Sequence, residues 1–147
     1  MVTGDERGHV PGRPLPVPDP LTQPFWDAAQ EGRLVIQRCP RCRTYQHPPK
    51  HSCPICGHPG LNYEQVSGLG RVYSFTLVHD TRVKSFEAVL PYNVVLVELE
   101  EQSGLMLVVN MPTTAYKNLG VDVRVEVMFL NIGAGLTLPE FRLTSER

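Results

Sequence analysis

Four cysteines stand as two copies of one short pattern, Cys39-Pro40-Arg41-Cys42 and, ten residues later, Cys53-Pro54-Ile55-Cys56, followed at once by Gly57. A C-x-x-C segment closes a tight knuckle whose backbone turns around a metal ion. Two knuckles on neighbouring hairpins complete a tetrahedral shell of four sulfurs. Zinc, borderline soft and without a ligand-field preference, suits four thiolates. A redox-active site needs only one C-x-x-C, placed between a strand and a helix; two copies with proline at the same inner position favour metal. An iron–sulfur centre uses the same donors, so spacing alone does not separate it from zinc. The linker is shorter than the common one of about 15–20 residues, yet long enough for a short hairpin. Catalytic zinc keeps an open position, whereas four thiolates close the shell. The expected site is therefore one structural zinc on Cys39, Cys42, Cys53 and Cys56. His47, His51 and His58, nearby in sequence, could replace a cysteine or surround the site.

With the thiols committed to metal, none remains as a nucleophile. The sequence carries no P-loop, no G-x-G-x-x-G after a strand, no G-x-S-x-G and no H-E-x-x-H. His79 and Asp80 resemble a base and its orienting partner, but adjacent strand residues point to opposite faces. No catalytic constellation is read from the chain. Arg38, Arg41, Arg43, His47, Lys50 and His51 make a locally basic segment, with Arg71, Arg82 and Lys84 further on. This is either a solvated face or an anion site for the phosphates of a nucleotide-bearing ligand.

Hydrophobic residues make up 41% of the 147 and charged residues 20%, values that support a packed core. The formal net charge of -1 argues against a nucleic-acid binder that relies on a broadly basic surface. No apolar run approaches the roughly 20 residues that span a bilayer. The first residues lack the apolar stretch of a secretory signal. A cytoplasmic location follows as the expectation, and there cysteines serve as metal ligands more often than as disulfides.

The elements that must position the cysteines follow from periodicity and turn chemistry. Residues 1–20, with Pro11, Pro14, Pro16, Pro18 and Pro20, read as a flexible arm. Residues 21–66 read as a short helix and the metal-binding ribbon. Thr22 is the expected N-cap of a helix over 22–32, Pro24 lies in its first turn, Phe25, Trp26 and Ala29 form its apolar face, and Gly32 stops it. Short strands are expected before Cys39, at 45–47 and at 63–66. Residues 67–147 alternate with period two and contain five expected strands, at 71–79, 92–100, 105–110, 121–130 and 136–141. Val121, Val123, Val125, Val127 and Phe129 should share one face. A crossover over 112–120, long enough for one helical turn, separates the third strand from the fourth. The fold class is mainly β: a helix, a zinc ribbon and five strands that fit a small five-stranded barrel of the OB type, a pattern that another small barrel or a sandwich would share.

Read together, several segments resemble a known family. They are Thr22…Phe25-Trp26…Ala29…Gly32, Gln37-Arg38-Cys39-x-x-Cys42, Pro48-Pro49, Cys53-Pro54-x-Cys56-Gly57, Ser67-Gly68-x-Gly70-x-Val72-Tyr73-Ser74, Leu90-Pro91-Tyr92 and Leu138-Pro139-x-Phe141. From about residue 20 onward the chain is similar to the DUF35 family, which combines a helical lead-in, a rubredoxin-like zinc ribbon and an OB barrel. The resemblance implies a non-catalytic accessory subunit of a thiolase-like enzyme (a thiolase, acyltransferase or aldolase acting on acyl-CoA), assembled as a hetero-oligomer. It implies that catalytic residues lie on the partner, and that the small subunit supports the enzyme and helps shape its acyl-CoA channel. In that setting Phe25, Trp26, Arg41 and Arg43 are the expected partner contacts. Arg82, Lys84 and Phe86 are the residues expected near CoA. A nucleic-acid-binding ribbon/OB module and a stand-alone acyl-CoA binder are the competing readings; near-neutral charge and few aromatics in the barrel strands count against nucleic acid.

Overall fold

The computed structural model describes residues 10–112 and 117–144. Residues 1–9 of the arm and 113–116 of the crossover lie outside them. Helix α1 spans Gln23–Gln30. Strands β1 (Val35–Arg38), β2 (Tyr45–Gln46) and β3 (Asn62–Gln65) form a sheet in the order β2-β1-β3. Strands β4 (Leu69–Val78), β5 (Tyr92–Leu99), β6 (Met106–Val109), β7 (Arg124–Gly133) and β8 (Leu136–Leu143) form a second, antiparallel sheet in the order β6-β5-β4-β7-β8. That order curls into the nearly closed barrel expected from the sequence. A short helix α2, Lys84–Glu87, occupies what reads in sequence as a loop.

The start of α1 differs from expectation. Thr22 precedes the helix, but its hydroxyl does not cap it. Instead the Asp19 carboxylate accepts from the Thr22 N–H at 2.8 Å, while the Asp19 N–H donates to Thr22 Oγ1 at 3.0 Å. This reciprocal pair is a capping box on the turn that leads into α1, with Pro20 just inside it. The end is as expected: Gly32 has φ +74, its N–H donates to Ala29 O and the Arg33 N–H to Ala28 O, the two bonds of a Schellman stop. The helix buries Phe25, Ala28 and Ala29, whereas Trp26 lies at the margin of that face and is half-buried.

One core serves helix, ribbon and barrel. Phe25, Leu34, Ile36 and Val66 pack in a single cluster with barrel residues such as Val72, Val97, Val125 and Phe141. Fully burying each such side chain contributes roughly 1.5–3 kcal/mol, so the ribbon's strands are anchored on barrel residues rather than on a core of their own. Gly70 marks a tight crossing against backbone: a Cβ there would come within 2.5 Å of Glu98 O and 2.8 Å of Val97 Cγ1. Strand β7 starts later than expected because Asp122 adopts φ +69 and turns the chain, leaving Val121 outside the strand and 67% exposed. Val125 meets the core as expected, at 0% exposure. The β7–β8 hairpin closes through Ala134 and Gly135, both at positive φ as a two-residue I′ loop requires.

Side chains supply bonds where strand ladders stop. Gln102, on the β5–β6 loop, accepts from the Tyr45 N–H at 2.8 Å and donates to Tyr45 O at 3.2 Å, clamping the ribbon's edge strand to the barrel. Asn93, 1% exposed, makes the same two-way bond with the Met111 backbone. Strands β6 and β8 are the two ends of the barrel sheet, and the Glu140 side chain bridges them by accepting the Asn110 N–H at 2.7 Å.

Burial pushes the Glu140 carboxyl up to about 7, against smaller opposing effects from the Asn110 N–H and the charge of Arg13. A carboxyl raised in the folded state binds its proton more tightly there than in the unfolded chain. Its stabilising contribution is therefore full below the unfolded value and is lost as pH rises through about 7. Glu140→Gln keeps an acceptor for Asn110 and cannot ionise. We expect the stability difference between variant and wild type to shift in the variant's favour by on the order of 2 kcal/mol between pH 5.5 and pH 8. Urea unfolding of both proteins across that range measures it, and parallel curves would contradict it.

Candidate metal centre and adjoining groove

The two knuckles are near copies in three dimensions. In the first, the Arg43 N–H donates to Cys39 O and the Cys39 N–H to Thr44 O; in the second, Gly57 N–H to Cys53 O and Cys53 N–H to His58 O. The residue after each knuckle is left-handed, Arg43 at φ 63 and Gly57 at φ 72. The non-glycine one is held from outside: Arg38 Nε donates to Arg43 O at 2.7 Å, and the Arg43 guanidinium pairs with Glu64 at 3.1 Å. Glu64 also takes Arg38 at 3.1 Å, and Arg38 in turn covers the Tyr45 ring at 4.4 Å. The hydrogen bond from Arg38, followed by smaller effects that include the charge of Arg43, holds the Glu64 carboxyl below its ordinary range.

These hairpins bring all four sulfurs within 4.8 Å of one another. Cys39 Sγ lies 3.7 Å from Cys56 Sγ, and Cys42 Sγ lies 3.6 Å from Cys53 Sγ. Such distances exclude disulfides, whose S–S length is about 2.05 Å. A regular tetrahedron with Zn–S bonds of about 2.3 Å has edges of roughly 3.8 Å, so the quartet fits one tetrahedral ion. Cys39 and Cys53 are buried; Cys42 and Cys56 are half-buried. The thiols are pulled in opposite directions. Hydrogen bonding with Thr44 brings Cys42 down to about 6. Cys56 receives a lowering hydrogen bond from the His58 backbone, yet burial and the neighbouring sulfurs carry it up to about 11. Four thiolates cannot share this volume without a cation, and a divalent ion removes the conflict. Among the described residues no histidine joins the quartet. His47 packs against the Phe25 ring at 5.7 Å, His51 is exposed and His58 half-buried.

Beside the ribbon a groove of about 560 Å³ follows the open seam between β6 and β8. Its walls are mostly apolar and include Phe25, Trp26, Pro48, Phe86, Val108 and Pro139. Its polar groups include His47, Asn110, Glu140 and, at the mouth, Arg13. Burial lowers the basicity of His47. A volume within the usual range of about 300–1,000 Å³, apolar walls and a few convergent polar groups are the general features of small-molecule sites. Sequence reading missed this groove because its walls come from several segments far apart in the chain.

The expected contact residues are distributed unevenly. Phe25 is buried in the chain's own core, with Trp26 edge-on at 5.1 Å. Arg41 and Ile55, at matching knuckle tips, are both exposed. Arg43 is paired within the chain, as is Arg71, with Asp122 at 3.3 Å. Phe86 lines the groove against Tyr92 at 5.1 Å, whereas Arg82 and Lys84 are exposed and do not line it.

Replacing Cys42 by serine removes one thiolate from the shell. The wild-type chain should carry about one zinc by elemental mass spectrometry, and Cys42→Ser should lose most of it along with more than about 3 kcal/mol of unfolding free energy. A variant with unchanged metal content and stability would contradict this assignment.

Two family models match consecutive parts of the chain: the ChsH2 rubredoxin-like zinc ribbon domain over residues 26–61, and the ChsH2 C-terminal OB-fold domain over residues 63–130. A DUF35 domain-containing scaffold protein of Methanocaldococcus jannaschii is 31% identical over 101 residues, which are 67% of this chain and 69% of that protein. A probable enoyl-CoA hydratase alpha subunit of Thermomonospora curvata is 41% identical over 119 residues, 80% of this chain. The chain spans only 36% of that protein's length. A chain of the solved Ltp2-ChsH2(DUF35) aldolase superposes with a TM-score of 0.77 at 36% identity, covering 88% of this chain and 98% of that one. With the sulfur quartet, the ribbon and the barrel in the order these comparisons share, the chain belongs to the DUF35 family.

Proposed function

We propose that this chain is a zinc-stapled scaffold subunit that docks on a thiolase-like enzyme acting on acyl-CoA substrates. The observation that carries this reading is the 36% identity over 98% of the DUF35 chain in an assembly named as an aldolase. The relatives named as scaffold proteins support the same role, and the relative named as an enoyl-CoA hydratase subunit supports a CoA thioester as the substrate class. The bound ion is one zinc per chain, held by Cys39, Cys42, Cys53 and Cys56. It supplies no open coordination position, so its part is to fix the knuckles.

The docking face comprises the half-buried Trp26 and the exposed knuckle tips around Arg41 and Ile55. Tryptophan and arginine are among the residue types most enriched at interface anchors. Phe25 takes part only indirectly, by seating Trp26. Phe86 and the groove lie on the acyl-CoA side of the assembly, with Arg82 and Lys84 supplying positive charge near the nucleotide end. The catalytic groups belong to the partner.

Affinity purification of the tagged chain from its native cells should recover a thiolase-like enzyme in near-equal amount, and a Trp26→Ala, Arg41→Glu double variant should weaken that recovery at least about tenfold. Recovery of nucleic acid, or of no thiolase-like protein, would contradict the proposal. Calorimetry of the isolated chain with acetyl-CoA separates the stand-alone binder: the scaffold reading expects no measurable heat until the partner is present.

A further inference from the structure

The sequence casts residues 1–20 as a free arm, yet its described part is tied down at two points. Val10 is only 7% exposed. The Arg13 N–H donates back to Val10 O at 3.3 Å, closing a turn through Gly12 at φ 71. A Cβ on Gly12 would meet Ser85 Cβ at 3.8 Å, so the turn sits directly on α2. The Arg13 guanidinium covers the Phe86 ring at 5.7 Å, at the groove's mouth. The second tie is the Asp19–Thr22 capping pair. Between the ties Leu15 and Val17 are 47% and 89% exposed, so the span itself is held by its ends and not by its own burial.

A tail without a role would not bury Val10 or set an arginine over an aromatic ring. We propose that residues 10–13 form a strap across the Phe86 end of the β6–β8 groove in the free chain, with Arg13 as its latch. The latch is the cation–π contact with Phe86, to which attraction between Arg13 and the deeper Glu140 carboxylate adds when that group is ionised. Contacts of this kind at partly exposed sites are weak, so the strap opens without unfolding the barrel. A ligand that reaches the Phe86 end of the groove must displace it. The strap is a property of this chain alone and stands apart from which enzyme the chain joins.

Trp26, the chain's one tryptophan, lines the groove and reports directly on its occupancy. The probe is the neutral dye N-phenyl-1-naphthylamine, added to the full-length zinc-loaded chain, with energy transfer from Trp26 as the readout. Neutrality matters, because removing Arg13 would change the attraction for a charged dye. Arg13→Ala should bind the dye about two- to fivefold more tightly by this readout, as loss of one cation–π contact implies, with the thermal midpoint unchanged. A chain lacking residues 1–13, which keeps the Asp19 cap, should show at least the same gain. Equal transfer in all three proteins would overturn the strap. A gain on deletion with none for Arg13→Ala would overturn the assignment of the latch to Arg13.

Discussion

Four sulfurs held within 4.8 Å of one another are the constraint on which the ribbon depends. The loops that carry them have little hydrophobic support, since Ile55 at the second knuckle tip is 69% exposed and Arg41 at the first is exposed as well. What fixes these loops is the sulfur quartet and a few backbone bonds around it. Four thiolates this close repel one another, and a divalent cation among them offsets that repulsion. A closed thiolate shell leaves no coordination position for a substrate, so the chemistry such a quartet supports is structural.

Everything beyond the knuckles rests on a different support. Leu34 and Ile36 of the ribbon and Phe25 of the helix enter the same core as the barrel strands. At the places where backbone pairing stops, single polar side chains take over: Gln102 on the ribbon edge, Asn93 beside Met111 and Glu140 across the barrel seam. Each satisfies backbone groups that would otherwise be buried without partners. The seam that Glu140 bridges is left open along most of its length, and that opening is the groove. The chain thus presents exposed knuckle tips and a lined groove from one small core.

The parts legible in the sequence were those with a local signature. The doubled C-x-x-C gave the metal site, period-two runs gave all five barrel strands to within a few residues, and Gly32 gave the helix stop. The misses share a physical cause. Thr22 looked like a cap because it precedes an apolar run, but the reciprocal bond with Asp19 lies three residues upstream; the Asp19-Pro20 pair was the available signal. Val121 fits the alternation of β7, yet the turn at Asp122 removes it from the strand. Gln37, Asn93 and Glu140 are polar, yet they are buried, and each has a backbone partner elsewhere in the chain. Such pairings, and the groove they border, depend on contacts between distant segments that no local pattern records.

The central claim is a division of labour, with metal holding the knuckles and a shared core holding the rest. Hydrogen exchange of the zinc-loaded chain, before and after a strong chelator, tests it amide by amide. The account predicts that the N–H groups of Cys39, Arg43, Cys53 and Gly57 lose their protection on chelation, while the paired amides of β4 and β5 stay protected, weakened only by the fall in global stability. Unchanged protection at the knuckles, or its loss throughout the barrel, would contradict it.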